Sequence, residues 1–531
     1  MPPLPDFGTI SPMSSALSTA THQALKTISH DTELIALREQ VQQLQHQLDW
    51  FKRQLFGEKS EKRLIDNPHQ GSLLGGPSDE ATAPETEKKT ITYQRGKAQK
   101  DRGHAVNDSG LRFDENVPVQ HIRCEPAELH GSEADQYEII GEKVVHRLAQ
   151  RPASFVVLAY TEVMVKRKVD QQILPASSAS SVFEKSIVDV SFLAGMLVDK
   201  FAYHNPLYRQ HQKLLHSGIK LSRSSLTNWT ARSIELLEPI YQSQLNHILQ
   251  SQVLAMDETP IKAGRKHKGK MNKAYFWPLY GDQNEVAFTF SPSRGRQHVM
   301  DTLKDFKGTL LTDGYSAYAH YAAQTEQVTH AQCWVHARRY FEQAQQAEPA
   351  AAAQALQLIG LLYQHEQTIR DKQLSGEKKL KYRTNHSLPL VQQFFAWCDM
   401  QRQREDLVNS NPLSKALQYA TDREHALKIF LGDPDVQPDT NHLERALRVI
   451  PMGRKNWLFS WTELGAKHIG IIQSLLVTCR LYDINPYTYL VDVLQRVSHH
   501  PASKVEELTP RFWKTRFAKN PLRSDLDIDG R

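Results

Sequence analysis

The chain has 531 residues, which is too long for one core of ordinary size and predicts about three or four domains. It contains no uninterrupted apolar run of about 18 residues and no secretory signal pattern at its N-terminus, which argues against a membrane-spanning or secreted protein. The net charge of +6 is compatible with nucleic-acid binding but does not single it out. Four scattered cysteines fit a reducing compartment, so we expect a cytoplasmic protein.

The first 110 residues divide into three segments of different composition. Residues 1–30 are polar and rich in Ser, Thr and Pro, and we expect them to be disordered. In residues 31–60, apolar residues recur in steps of three and four, which predicts a leucine-zipper-like coiled coil that joins two copies of the chain. An amphipathic helix packed on its own domain is the alternative. Residues 61–110 hold few large apolar residues and predict a linker.

The next two segments predict a β-rich module and a pair of helices. Residues 111–185 contain β-prone runs such as "SFVVLAYTEVMVKRKV". Residues 186–245 contain a helix, a turn with Gly218 and a second helix that begins within "SRSSLTNW", a pattern typical of a DNA-binding helix-turn-helix. A plain helical hairpin is the alternative. If the segment binds DNA, the side chains that face bases or phosphates are Ser222, Arg223, Ser224, Thr227 and Asn228.

Residues 250–345 predict an α/β core built on a mixed sheet. Three strand-like runs come in succession, and two helical stretches then separate the third run from the fourth and the fourth from the fifth. The first run, in "VLAMDETP", ends at Asp257, and the fourth, in "LLTDGYSAY", ends at Asp313. If these two strands are neighbours, both carboxylates converge at one edge of the sheet. For Asp313 alone, an Asp-Gly turn is the alternative.

The remaining residues predict helices, and one of them supplies a third carboxylate. We expect a helical insertion in 346–435, a helix with a basic motif in 436–462, a helical region in 463–500 and a tail in 501–531. In "DTNHLERALRV", Glu444 lies on a short helix that Asp439 or Thr440 could cap. Carboxylates are the usual protein ligands of Mg²⁺, and two such ions about 4 Å apart can promote phosphodiester chemistry.

Basic residues lie close to these carboxylates in the sequence. The run "KAGRKHKGKMNK" at 262–273 predicts a basic hairpin that either contacts phosphates, through residues such as Arg265 and Lys266, or is a solvated loop. Four further cations follow Glu444 and are expected to contact phosphates: Arg445, Arg448, Arg454 and Lys455.

The "CWVH" segment has the spacing of two metal ligands, Cys333 and His336. Because no second pair is nearby, we interpret it as a strand end packed against a helix. The alternative is that His336, Arg338 and Arg339 approach the active site or the DNA backbone.

Several of these motifs together resemble the transposases of the insertion-sequence-66 family. The similar segments are "MDETPIK", "LTDGYSAY", "CWVHARRYF", "NHLERALR" and "GRKNWLF", and the similarity extends from about residue 31 to about residue 497. The resemblance implies a ribonuclease-H-like core whose catalytic and metal-binding triad is Asp257, Asp313 and Glu444. It also implies Mg²⁺ or Mn²⁺ as the cofactor, with two ions, and DNA (element ends and target) as the substrate. The resemblance further implies two accessory proteins, TnpA and TnpB, as partners and a location at the bacterial nucleoid.

One segment departs from the family pattern. Family members often carry a cysteine-rich zinc module between the zipper and the helix-turn-helix, whereas this chain has only Cys124 there, with His121 and His130. Their number and spacing are poor for a tetrahedral site, so we predict a β module without zinc.

The preferred hypothesis from the sequence is a metal-dependent DNA transposase. Two rival functions remain open: a DNA-binding regulator without catalysis, and a ribonuclease-H-like nuclease without strand transfer. The three carboxylates argue against the regulator, which has no use for them, whereas only an assay separates the nuclease.

Overall fold

The computed structural model describes residues 111–527, except 116, 131–133, 152–153, 175–180, 185, 268 and 458. The predicted disordered segment, coiled coil and linker, residues 1–110, lie outside the described residues. The described part is a mixed α/β structure in which three sheets are combined with many helices.

The β-prone runs after residue 111 form a four-stranded sheet. Its order is β2-β4-β3, and β5 also pairs with β4. The two longest strands, β3 and β4, are antiparallel, and β2 runs parallel to β4. The strands of this region are β1 (Arg112–Phe113), β2 (Val119–Cys124), β3 (Tyr137–Arg151), β4 (Ser154–Arg167) and β5 (Ile173–Leu174).

Three helices follow this sheet: α1 (Val190–Phe201), α2 (Leu207–His216) and α3 (Arg223–Ile248). Between α2 and α3, the short strand β6 (Ile219–Lys220) pairs with β1. Helix α3 begins at a capped end, because the side chain of Ser222 accepts a hydrogen bond from the backbone N–H of Ser225. Helix α3 therefore begins at a defined residue, shortly after the turn that contains Gly218.

A six-stranded sheet lies at the centre of the described structure. Its order is β10-β9-β7-β11-β12, and β8 also pairs with β9. Strand β9 is antiparallel to both β10 and β7, whereas β11 is parallel to β7 and β12 is parallel to β11. The strands are β7 (Val253–Met256), β8 (Thr259–His267), β9 (Lys270–Tyr280), β10 (Val286–Ser291), β11 (Gly308–Thr312) and β12 (Val328–Gln332).

Two details of this sheet bear on the sequence-based expectations. The first and fourth predicted strands, β7 and β11, are indeed neighbours, with Ala255 opposite Leu311. The five-strand interpretation was incomplete, because β8 is a sixth strand. The predicted basic hairpin is made by β8 and the start of β9, which pair from Thr259 to His267 with two register shifts.

Gly308 allows β11 to approach β7 closely. Its φ of +132° is a conformation that residues with a side chain rarely adopt, and an added Cβ would lie 2.4 Å from the carbonyl oxygen of Gln252. The next residue, Thr309, donates its backbone N–H to that same oxygen at 2.8 Å. The pairing of the two strands thus begins at a position that only glycine can fill without displacing the chain.

Helices cover the sheet, and none of the described residues after Gln332 belongs to a named strand. Those between and just after the sheet strands are α4 (Arg296–Leu303), α5 (Ser316–Gln324) and α6 (Trp334–Ala344). The helical insertion contains α7 (Pro349–Asp371), α8 (Gly376–Tyr382), a π-helical turn (Arg383–Ser387), α9 (Leu388–Arg402), α10 (Pro412–Thr421) and α11 (Glu424–Lys428). The last helices are α12 (Asn441–Leu447), α13 (Val449–Trp457), α14 (Glu463–Leu481), α15 (Pro486–Arg496) and α16 (Pro510–Arg516).

Helix α14 is the centre of the packing behind the sheet. Most of its residues are buried, and it packs on β10 and on α3. Gln244 of α3 fixes this junction, because its side-chain amide donates to the carbonyl of Val286 at 2.7 Å and to the hydroxyl of Thr478 at 2.9 Å. In the described part of the chain, no helix is both long and apolar enough to cross a membrane.

The predicted tail folds against the β-rich module. Leu526 is buried in a small apolar cluster with residues of β3 and β4. The hydroxyl of Tyr160 donates to Asp525 at 2.9 Å, and that of Ser524 donates to Asp189, which caps α1, at 2.5 Å. The C-terminal residues up to 527 are therefore part of the folded structure.

Candidate active site

The two strand-end aspartates meet at one edge of the central sheet. Asp257 follows the last residue of β7 and Asp313 follows the last residue of β11, so parallel neighbouring strands deliver both carboxylates to the same edge. Carboxylate oxygens of Asp257, Glu258 and Asp313 all lie within 4.8 Å of one another. The backbone N–H of Tyr315 donates to Asp313 at 2.9 Å, and that of Glu258 donates to Asp257 at 2.7 Å. These bonds fix the orientation of the two aspartates.

Glu258 is a member of this cluster that the sequence analysis missed. Its side chain is only 3 % exposed, and both of its oxygens accept hydrogen bonds. Tyr318 donates its hydroxyl at 2.7 Å, and Arg294 donates its Nε–H at 2.9 Å. Adjacent residues of a strand point to opposite faces, but β7 ends at Met256 and β8 begins at Thr259. The bend between the two strands removes that alternation and lets Asp257 and Glu258 face the same space.

Glu444 is brought close by contacts at the start of α12. The buried Cys333 accepts hydrogen bonds from the backbone N–H and the hydroxyl of Thr440, both at 3.4 Å. Trp334 donates its backbone N–H to the carbonyl of Pro438 at 2.9 Å. Cys333 thus joins the end of β12 to the residue before α12, which agrees with the interpretation of "CWVH" as a strand end packed against a helix. Of the two residues expected to cap this helix, Asp439 makes a bond, accepting the N–H of Asn441 at 3.0 Å, whereas the side chain of Thr440 makes no capping bond.

Electrostatic interactions connect Glu444 with the aspartates. Burial raises the pKa of Asp257 to about 7, and the negative charges of Asp313, Glu258 and Glu444 act in the same direction. Glu444 lies outside the 4.8 Å cluster. Its nearest cation is the Nη2 of Arg339, 4.0 Å from one of its oxygens. A cation among these carboxylates would stabilise the charged form of Asp257 and so lower its pKa.

His336 and Arg339 lie near the carboxylates, as one alternative from the sequence anticipates. Burial lowers the pKa of His336, while the charges of Asp313 and Glu444 oppose that shift. Its Nδ1 is buried and has no hydrogen-bond partner among the described residues. Arg338, in contrast, pairs with Glu342 on its own helix at 2.8 Å. Of the three side chains considered at this segment, His336 and Arg339 therefore interact electrostatically with the carboxylates.

The donor set fits a hard divalent cation. Carboxylate oxygens are the ligands that Mg²⁺ and Mn²⁺ prefer, and the cluster contains no thiolate or imidazole that would favour a softer metal. Within the described residues, this is the one group of three or more acidic, histidine or cysteine side chains close enough to hold a metal ion. A metal at this edge would have carboxylate oxygens of Asp257, Glu258 and Asp313 within reach.

The predicted DNA-binding residues lie on the surface in three groups. At the start of α3, the exposed side chains are Ser222, Arg223, Ser224, Thr227 and Asn228. On the β8–β9 hairpin, Arg265 and Lys266 are exposed. After Glu444, the exposed cations are Arg445, Arg448 and Lys455. Arg454 is half-buried and donates to the carbonyl of Pro260 at 2.5 Å, so part of its role is to hold α13 against β8.

The residues considered for zinc lie on and next to β2 of the β-rich module. His121 and Cys124 belong to that strand, and Cys124 ends it. Nε2 of His130 is 3.1 Å from Glu125. The absence of zinc from this module stays a prediction.

Comparison with protein families matches most of the chain from residue 185 to residue 511 and part of the N-terminal region. Residues 185–468, more than half of the chain, match the family described as "Transposase IS66 family". Residues 474–511 match the "IS66 C-terminal element". Residues 43–118 match the description "Transposase C of IS166 homeodomain". The first match contains all three residues of the proposed triad.

Three similar proteins come from Sinorhizobium fredii and carry the names uncharacterized protein y4hP, y4qI and y4jD. The chain is 28 % identical to y4hP over 397 residues, which is 71 % of each protein. It is 28 % identical to y4qI over 405 residues, covering 73 % of this chain and 74 % of the relative. It is 25 % identical to y4jD over 506 residues, covering 90 % and 96 %. These names add no activity to the comparison.

Proposed function

The chain belongs to the IS66 family of transposases, and from this premise we propose that it binds the ends of an insertion sequence, cleaves their 3′ strands and joins them to target DNA. The observation that carries the proposal is the convergence of Asp257 and Asp313 from two parallel strands. Glu444 is near enough to raise the pKa of Asp257. A DNA-binding regulator has no use for such a cluster of carboxylates.

The sheet supports a ribonuclease-H-like catalytic core. Four strands that pair antiparallel, β7 to β10, are followed by two strands that extend the sheet in parallel pairing, β11 and β12, and helices cover the sheet. In this proposal the helical insertion separates the strands that carry Asp257 and Asp313 from the helix that carries Glu444. The contacts of Cys333 and Trp334 with residues 438–440 then hold that helix beside the sheet edge.

The side chains of the site have distinct tasks in the proposed reaction. Two divalent cations held by Asp257, Asp313 and Glu444 would activate the attacking hydroxyl and stabilise the leaving oxygen. Tyr315 orients Asp313 through its backbone N–H, and Arg339 lies beside Glu444. No serine or tyrosine is assigned as a covalent nucleophile, because water and then the freed 3′-hydroxyl attack phosphorus directly.

The direct test uses the purified protein with labelled DNA from the ends of the element that encodes it. In the presence of Mg²⁺ or Mn²⁺, we expect 3′ nicks and products in which the ends are joined to target DNA. Nicks without joined products would favour the ribonuclease-H-like nuclease. Binding without nicks or joining would favour the regulator.

We propose that end recognition uses the segment α2–α3 in the manner of a helix-turn-helix. Five hydroxyl, amide and guanidinium side chains are exposed at the capped start of α3, where bases and phosphates can be reached. The guanidinium of Arg223 lies 5.7 Å from the ring of Tyr208 on α2, which limits its mobility. The homeodomain-like match at 43–118 independently supports DNA binding by the N-terminal part of the chain.

Arg223→Ala is expected to weaken binding to the element ends by about 1–3 kcal/mol if Arg223 contacts a base. If it contacts only phosphate, the loss should be similar on unrelated DNA of the same length. Fluorescence anisotropy with both DNAs measures this difference, and Arg370→Ala, an exposed arginine of the helical insertion, is the control. A zinc chelator should leave binding unchanged. Strong inhibition by the chelator together with a harmless Arg223→Ala would contradict the assignment.

We propose self-association through the heptad segment, which lies outside the described residues. Replacing Leu44 and Leu48 by glutamate places like charges at the seam and should yield monomers in light scattering. Gln42→Glu with Gln43→Glu adds the same charge at positions that the heptad pattern predicts to lie off the seam, and is the matched control. An unchanged oligomer for the leucine variant would show that another interface holds the copies together.

Contact with the accessory proteins TnpA and TnpB, and a cytoplasmic location at the nucleoid, are further parts of this proposal. They rest on membership of the family rather than on a surface of the described residues. Co-purification of tagged protein with the two neighbouring gene products tests the first of them.

A further inference from the structure

Glu258 is not a free carboxylate of the metal cluster. One oxygen accepts from Arg294 and the other from Tyr318, and the side chain is almost fully buried. A buried carboxylate without such partners would be strongly unfavourable, and a fourth negative charge beside three others would add to the repulsion. The partners of Glu258 are therefore necessary for its presence at this position.

Arg294 makes three contacts that fix its position, one with Glu258 and two with Tyr315. Its guanidinium is paired with Glu258 and lies over the ring of Tyr315, with 4.3 Å between the guanidinium carbon and the ring centroid. The hydroxyl of Tyr315 donates back to the carbonyl of Arg294 at 2.5 Å. Because the backbone N–H of the same tyrosine holds Asp313, this network connects the arginine directly with a proposed metal ligand.

The outer edge of this guanidinium remains available. The side chain of Arg294 is 47 % exposed, although Glu258 is buried. Its bonds to Glu258 use Nε and Nη2, and no described residue accepts a hydrogen bond from Nη1. An arginine has five N–H donors in a planar fork, so one edge can bind a carboxylate while the other binds phosphate.

We propose that Arg294 binds a phosphate of the DNA strand at the catalytic edge, and that Glu258 is the positioning residue that holds the guanidinium there. This inference rests on the proposed function. Neither residue belongs to the basic segments that the sequence points to. A guanidinium already fixed by a carboxylate and an aromatic ring loses little conformational freedom when it binds phosphate, which favours a defined position for the strand.

The competing interpretation is that Arg294 and Glu258 only tie the β7–β8 bend to the segment before α4. That role predicts a loss of thermal stability in variants but no change in how DNA binding depends on salt. Release of counterions depends on the number of phosphate contacts, so the salt dependence separates the two interpretations.

The test measures binding of labelled element ends without divalent metal, at several KCl concentrations, so that no cleavage occurs. Arg294→Ala should weaken binding and lower the slope of log Kd against log [KCl] by about 1. Arg294→Lys keeps the charge and should keep most of the slope. Arg404→Ala removes another arginine paired with carboxylates, in the insertion, and should leave the slope unchanged. Melting temperatures of all variants identify any that are unfolded.

The role of Glu258 is tested by a double-mutant cycle. Glu258→Gln should weaken DNA binding, but the double variant Arg294→Ala, Glu258→Gln should bind no more weakly than Arg294→Ala alone. Additive losses would refute positioning through Arg294. The Mg²⁺ concentration needed for cleavage is then compared between the double variant and Arg294→Ala alone. A higher requirement in the double variant would identify Glu258 as a metal ligand instead.

The outcomes also separate this inference from the proposed function. A wild-type protein that neither binds nor cleaves element ends would refute the proposed function. A wild-type protein that does both, with an unchanged salt slope for Arg294→Ala, would refute only the phosphate contact.

Discussion

The variant Asp257→Asn is expected to lose cleavage of the element ends by at least about 100-fold while it binds them nearly as well as the wild type. Mutation of a residue that merely supports a metal ligand lowers metal affinity or activity by about 10- to 100-fold. Loss of the ligand itself should therefore lower activity by at least about 100-fold. The amide keeps the shape of the carboxylate and can still accept the N–H of Glu258. It lacks the negative charge that a divalent cation requires.

The same substitution should not destabilise the protein without metal. In the folded state the pKa of Asp257 is raised to about 7, above its ordinary value of 3.8. The folded state therefore holds this proton more tightly than the unfolded state does. The contribution of protonated Asp257 to the stability of the fold is fully present below pH 3.8 and is lost as the pH rises through 7. At pH 8 in a chelator, Asp257→Asn removes an unfavourable buried charge and should melt at the same temperature as the wild type or a higher one.

The measurement compares nicking of labelled ends, binding and melting temperature for one set of variants. Asp301→Asn is the control, because this aspartate is exposed on α4 and pairs with Gln297 of the same helix. Equal losses of binding and cleavage in Asp257→Asn, with a lower melting temperature, would indicate a role in folding and contradict the assignment of Asp257 to the metal.

The convergence of Asp257 and Asp313 could be predicted from the sequence because strand periodicity and strand ends are local signals. Each aspartate directly follows an apolar run, and the pairing of Ala255 with Leu311 brings the two runs side by side. The position of the third carboxylate is less local. Glu444 is separated from Asp313 by the helical insertion, so the residue pattern offered it only as a candidate, and the resemblance to a family was needed to join it to the two aspartates.

Glu258 and Arg294 show what the sequence could not reveal. Glu258 is adjacent to Asp257, and strand alternation would have placed it on the opposite face if β7 had continued. Arg294 lies in a short loop with no basic run around it. Its importance depends on a ring from Tyr315 and a buried carboxylate, and both are contacts between segments distant in sequence. The sixth strand, β8, was missed for a related reason: its lysines and arginines mask the strand pattern, and its pairing with β9 and with Ser460 depends on other segments of the chain.

Arg383 provides a second test with a large expected effect, in the insertion rather than at the carboxylates. Its side chain is completely buried and forms a bidentate pair with the buried Glu366, with both bonds at 2.8 Å. The remaining Nη1 donates to three backbone carbonyls, those of Phe430, Asp433 and Val436, at 2.6, 2.9 and 3.1 Å. These carbonyls belong to the segment that leads into Thr440 and the helix of Glu444. One buried cation thus fixes the approach to the third carboxylate.

Arg383→Met should destabilise the protein by about 3–5 kcal/mol, because it leaves Glu366 as a buried charge without its partner. The double variant Arg383→Met, Glu366→Leu removes that charge and should recover part of the loss. Recovery should be incomplete, because the three carbonyls still lack a donor. If the segment also positions Glu444, the double variant should cleave element ends more slowly than the wild type at a temperature where both are folded, with end binding unchanged.

Chemical unfolding and the cleavage assay measure these two effects separately. Arg404→Ala is the comparison, since its pairs with Glu348 and Asp406 are partly exposed and such pairs contribute only about 0–1 kcal/mol. Full recovery of stability in the double variant would show that the carbonyls find other donors. Cleavage at the wild-type rate in the double variant would show that the position of Glu444 does not depend on Arg383, and would leave the contacts of Cys333, Trp334 and Asp439 to hold the start of its helix.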